Sequence, residues 1–175
     1  VNEEGRREVL GISVELSEAE VHWRTFLSSL KKRGLCGVEL FISDAHEGMA
    51  KARKAVFPTI PWQRCQFHLA QNAQKYATTK AMRLEIAEAV RGIFDQSTKQ
   101  LAMERAKQVA EDFHEKNPKF STWIEENIEE GLQIYKHPKD ARKKLRTVNP
   151  LELINREVKR RTRVARIFPN SDSLL

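Results

Sequence analysis

One change of pattern constrains this chain more than anything else in it. Up to about Lys75, short apolar runs alternate with helical periodicity, whereas from Lys80 to Tyr135 helical periodicity continues with no strand-like run. Such a sequence predicts an α/β layer into which a block of helices has been inserted. In the first part, Arg7 to Val14 (REVLGISV) reads as the second arm of a hairpin after the turn-like Asn2-Glu3-Glu4-Gly5. Ser17, with Glu20 three residues on, is a candidate N-cap for a helix reaching Gly34 through Val21, Trp23, Phe26, Leu27 and Leu30. Gly37 to Ser43 reads as a strand ending at Asp44, Ala45 to Val56 as a helix stopped by Pro58, and Trp62 to Phe67 as a third strand leading into a helix near His68.

The helical block divides at Gln96-Ser97 and Asn117-Pro118 into Lys80 to Phe94, Thr98 to Phe113 and Phe120 to Tyr135. His137-Pro138 closes it. Asn149-Pro150 opens a last helix to about Arg163, and Phe168-Pro169 ends that helix. The expected domains are therefore residues 1–76 and 142–175 as core and 77–141 as a helical insertion.

Charge narrows the choice of partner. The chain has 175 residues and a formal net charge of +7, but Arg142 to Arg166 alone hold ten basic residues and two acids. That segment's net +8 leaves the rest nearly neutral, which directs attention to a polyanion binding at one place. A charge run can be only a solvated face. Ten cations against two acids, however, outnumber what local pairing neutralises, and a helix displaying Arg156, Lys159, Arg160, Arg161 and Arg163 suits phosphates. No apolar run approaches membrane-span length, no signal peptide opens the chain, and two cysteines make no disulfide framework, so a reducing cytoplasmic setting is expected.

Several residues carry chemistry with a plainer structural role beside it. Asp44 lies where an apolar strand gives way to a helix, the place where α/β sheets gather ligands and metals; it, or Ser43, could equally cap that helix. Glu152 heads a helix whose expected buried stripe is Leu151, Ile154 and Val158, with Arg156, Lys159 and Arg163 on its own face. Asn149 as N-cap, Pro150 and Glu152 also compose a capping box. Cys65 and His68, spaced C-x-x-H, could begin a zinc site with Cys36, His46 or His22, though none of these adds a second paired spacing; a buried thiol and a helix-start histidine are the alternative. Trp123 is expected in the core, with base stacking as its other use.

The segments GRREVLG, RGL, ISDAHEGM, WQRCQFHLAQN and RTVNPLELINREVKRRTRVARIFPN together resemble the mutator-type transposases of bacterial insertion sequences. The resemblance covers nearly the whole chain, most specifically in the last segment and least between Lys80 and Asp140. It implies an RNase H-like core, split by an all-α insertion, with a DDE triad in which Asp44 matches the second Asp and Glu152 the Glu. Cys65 and His68 match a motif that supports the active site, with Asn149 beside the Glu. Three carboxylates would hold two Mg²⁺ (or Mn²⁺) ions, about 3.5–4 Å apart, for cleavage and strand transfer of DNA. The implied partners are double-stranded DNA (transposon ends and target) and further copies of the chain, a homodimer or higher; the implied setting is the bacterial cytoplasm, nucleoid-associated, with no membrane. The family's first Asp falls upstream of Val1, so the chain is expected to be a core fragment inactive alone. A non-catalytic nucleic-acid-binding remnant is the alternative.

Overall fold

In a computed structural model the described residues are 1–13, 15, 17 and 19–165, of which 149–150 and 162–165 are described by backbone alone. In chain order they form α1 (Glu20–Lys32), β1 (Phe41–Ser43), α2 (Glu47–Val56), β2 (Trp62–Arg64), α3 (Gln66–Ala73), α4 (Lys80–Phe94), α5 (Lys99–Phe113), α6 (Pro118–Asn127), α7 (Lys139–Leu145) and α8 (Asn149–Ala165). Single 3₁₀ turns lie at Gln74–Tyr76, Ile128–Gly131 and Gln133–Lys136. The described residues are mostly helical, with one parallel pair of strands among them. The register is set by Phe41 N–H donating to Pro61 O and Cys65 N–H to Ser43 O, so both strands advance together. Two compact units result: Val1–Phe41, Ala45–Pro61 and Asn149–Leu175 form the first, and Ile42–Asp44 and Trp62–Val148 the second.

In the first unit α1 packs on α2. Leu27 and Leu30 meet Ala52, Val56 and Phe57, all buried. The helix begins after Ala19, not Ser17: Ala19 is extended and offers no side-chain cap, while Glu20 pairs forward with Arg24 on the next turn. Its end is as expected. Gly34, at φ 98°, donates to Lys31 O, and Leu35 donates to Leu30 O, a left-handed termination that satisfies the last carbonyls. Lys31 Nζ then reaches Val56 O at 3.2 Å, fastening the two helix ends together.

The expected strand at 7–14 is corrected where it is described: residues 7–13 form no strand, and Val9, Leu10 and Ile12 are exposed. Apolar alternation only predisposes a segment to pair, and no described segment supplies the partner ladder. The turn before it does form, with Asn2 N–H on Arg6 O and Gly5 at φ 73°. For the same reason β1 keeps three of the seven residues expected of it and β2 three of six.

The second unit is built on α4, α5 and α6. Three side chains start them: Thr79 Oγ accepts from Met82 N–H, Thr98 Oγ from Leu101 N–H, and Asn117 Oδ1 from Phe120 N–H, with Pro118 at the first helical position. Ile86, Val90, Ile93, Val109, Phe120 and Ile124 fill the interior. Trp123 is core as expected, stacked with Phe120 and tilted on Tyr76. The helix expected over Phe120 to Tyr135 begins two residues earlier and breaks at Asn127 into two 3₁₀ turns. Gly131 accounts for the tightness there: a Cβ on it would lie 2.6 Å from Leu69 Cδ1, and its carbonyl takes hydrogen bonds from Gln63 Nε2 and Gln66 Nε2. Buried Gln63 is thus satisfied on both sides, its Oε1 accepting from Ile134 N–H.

Candidate functional site

Asp44 follows the last residue of β1, at the carboxyl end of the parallel pair, and is exposed. Ser43 is held on both sides: Trp62 Nε1 donates to its Oγ at 2.9 Å, and its hydroxyl donates to Asp44 O at 2.7 Å. The capping role open to Asp44 or Ser43 is not taken. The residue before α2 is His46, and it makes no side-chain cap bond. Asp44 therefore presents a carboxylate that the fold does not use to start a helix.

Beyond β2 the chain turns at Cys65, which is fully buried, into α3. Its neighbours define the surroundings of Asp44. Cys65 N–H donates to Ser43 O at 2.8 Å, Gln66 N–H donates to Arg146 O at 2.9 Å, and Cys65 Sγ accepts from Val148 N–H at 3.5 Å. The end of β1 and residues 146–148, which lead into α8, are thus both bonded to two consecutive residues. His68 lies one turn further, half-buried, its ring edge-on to Phe67. Among the described residues no three His, Cys, Asp or Glu side chains form a metal-holding group, so the zinc reading gains no third ligand for Cys65 and His68.

The helix α8 begins at Asn149, one residue earlier than the expected cap arrangement. Glu152 stays in its first turn, where the helix dipole favours a carboxylate, and is half-buried with Oε1 shielded from water. The buried stripe expected on this helix is a correction. Leu151, Ile154 and Val158 are 53%, 36% and 40% exposed, and among the described residues α8 shares no extensive packed face with α1 or α2.

The basic segment is also less uniform than its composition suggests. Arg142 donates to the carbonyls of His137, Ser97 and Tyr135 and lies 5.0 Å over the Tyr135 ring. Arg146 bonds Asp95 Oδ1 at 2.9 Å and the carbonyl of Phe94, the last residue of α4. Arg146 thus lies at the electronegative end of α4, while Arg142 holds the turn that follows α4 to the segment before α7. On α8, Glu157 takes Arg160 through two bonds and Arg161 through one; these arginines, Arg160 first, hold its carboxyl down at about 2. One acid thus engages two arginines, and the excess of cations in the segment stands. Arg156 and Lys159 stay exposed, while the side chains of Asn149 and Arg163, with Arg166 and Phe168-Pro169, lie outside the described residues.

Sequence reasoning missed α7 and the inward use of Arg142 and Arg146. Pro138 followed by Lys-Asp-Ala-Arg-Lys-Lys-Leu is a legible helix start of strong helix formers, so the first omission had a local signal. The contacts of Arg142 with Ser97 and of Arg146 with Asp95 had none, since these partners lie 45 and 51 residues away.

A family model described as "Transposase, Mutator family" matches residues 1–175. The chain is 48% identical over 171 residues to the transposase for insertion sequence element IS406 of Burkholderia multivorans, covering 98% of this chain and 44% of that protein. It is 36% identical over 176 residues to the transposase for element IS256 in transposon Tn4001 of Staphylococcus aureus, covering 99% and 44%. With the transposase for element IS1081 of Mycobacterium tuberculosis it shares 35% identity over 175 residues, covering 100% and 42%. The chain spans less than half the length of these relatives.

Proposed function

The chain belongs to the Mutator family of transposases, and from that premise we propose that it is the part of a DDE transposase core that binds transposon-end DNA and contributes Asp44 and Glu152 to metal-dependent cleavage and strand transfer. The core proposed is RNase H-like, with residues 77–141 as its helical insertion. The observation that carries this reading is Asp44: an exposed carboxylate at the carboxyl end of a parallel strand, left unused as a helix cap.

Carboxylate oxygens are the donors that Mg²⁺ and Mn²⁺ prefer, so Asp44 and Glu152 fit such ions in kind. Two carboxylates are fewer than a divalent site needs, and among the described residues no three acidic, histidine or cysteine side chains form a group that could hold a metal. They would hold the ion together with further ligands. When bound, the metal supplies an activated water or hydroxyl nucleophile and neutralises charge on the departing oxygen. The chain's own residues supply the rest. Arg156 and Lys159, exposed on the helix of Glu152, set the DNA backbone beside it by contacts to phosphate, with Arg160 and Arg161 exposed on the same helix. Cys65 and His68 support the site from the end of β2, and Asn149 lies at the start of α8. Assembly of two or more copies brings the transposon ends together. Among the described residues no helix is long and apolar enough to cross a membrane.

The test is strand cleavage of labelled transposon-end DNA by the full-length product of the gene, in Mg²⁺ or Mn²⁺. Asp44→Ala and Glu152→Gln each abolish cleavage on this account. Metal-dependent cleavage that survives both changes contradicts it.

A further inference from the structure

We infer that Cys65 is a positioning residue whose buried sulfur, together with the Gln66 amide, registers residues 146–148 against the end of β2 and so fixes where the chain departs for the helix of Glu152. Only the consequence for Glu152 rests on the functional reading above; the register itself does not.

Cys65 occupies the N-cap position of α3, where a side chain ordinarily accepts a bond from its own helix. It makes none. Its sulfur accepts instead from Val148 N–H, 83 residues away in sequence, at the 3.5 Å length that suits sulfur. Next to it, Gln66 N–H is one of the helix-start donors that need an outside acceptor, and Arg146 O is that acceptor. Two bonds at alternate residues therefore hold 146–148 in one register. A slip of one residue would break both.

The far side of the same turn is held as firmly. Cys65 N–H donates to Ser43 O, the residue before Asp44, so one residue ties the end of β1 to Val148 through its amide and its thiol. Arg146, through Asp95 and Phe94 O, keeps the segment from sliding along α4. Val148 is the last residue before α8, four before Glu152. The cysteine's full burial leaves its sulfur shielded from water as a competing donor.

Amide hydrogen exchange followed by NMR on this chain tests the register. In the unaltered chain Val148 N–H is protected; in Cys65→Ala it exchanges at least tenfold faster, while Val109 and Ile124 amides in the helical core stay as they were. Cys65→Ser keeps an acceptor and recovers part of the protection. If the sulfur merely filled space, serine and alanine would behave alike. An unprotected Val148 amide in the unaltered chain overturns the inference even if the alanine variant fails to fold. So does unchanged exchange in folded Cys65→Ala, or serine matching alanine. Strand cleavage by the full-length product in Mn²⁺ supplies the separate arm: cleavage that survives Asp44→Ala and Glu152→Gln counts against the metal reading alone, and exchange at Val148 still decides the register.

Discussion

The two compact units spend the same kinds of residue differently. In the second, apolar side chains are enclosed: Ile93, Ile124 and Phe120 have no exposed surface. In the first, α1 and α2 make a small core, yet Leu151, Leu153 and Val158 on α8 and Val9 and Ile12 near the start face outward. Cations divide in the same way. Arg142 and Arg146 are bonded to backbone carbonyls, Arg142 to Ser97 O and Arg146 to Phe94 O, whereas Arg156 and Lys159 on α8 are exposed. Charge density in the sequence therefore does not identify a binding surface. What identifies it is which cations the fold leaves facing water.

The largest expected contrast is in stability. Ile124→Ala, in the closed interior, should lower unfolding free energy by about 2–5 kcal/mol. Val158→Ala, on α8, should change it by no more than about 0.5 kcal/mol. Denaturant titration of both variants checks this, and a comparable loss from Val158→Ala would mean that the exposed face is covered in solution.

A smaller effect separates the two classes of cation. Arg146→Ala removes its bonds to Asp95 and Phe94 O from a guanidinium one-third exposed, and should cost about 1–2 kcal/mol after allowance for solvent screening. Arg156→Ala should leave thermal stability within experimental error. If both changes lower stability equally, α8's cations are structural too.

The smallest effect concerns Glu157. Its carboxyl ionises at about 2 against an ordinary 4.5, so its pairing with Arg160 and Arg161 is complete above about 4.5 and is lost as pH falls through about 2. A carboxyl-carbon NMR titration should show that low midpoint, and Arg160→Ala should raise it. Glu157→Gln releases both arginines at neutral pH and should tighten binding to duplex DNA a fewfold, read by fluorescence anisotropy.

The contrast also explains what was legible in the sequence. Thr98 and Asn117-Pro118 mark helix starts with local chemistry, and Lys80 to Phe94 is found where periodicity placed it. Strands are decided by partners, so the apolar run at 7–13 and the outer residues of Gly37 to Ser43 read as more strand than is found. Asp44 was legible as a carboxylate at a strand end; that it does not cap α2 was not, because the helix start at Glu47 depends on how the loop settles. The bond between Cys65 and Val148 could not be foreseen either, since nothing in C-x-x-H specifies an acceptor 83 residues distant.

The division of charge is tested most directly by the salt dependence of DNA binding. Each phosphate contact contributes a slope of about 0.9 in log affinity against log salt concentration. Replacing Arg156 and Lys159 together by alanine should reduce the slope by about 2. Replacing Arg142 and Arg146 with glutamine, in a variant shown to be folded, should leave it unchanged. A slope that falls with the second pair and holds with the first would contradict the account.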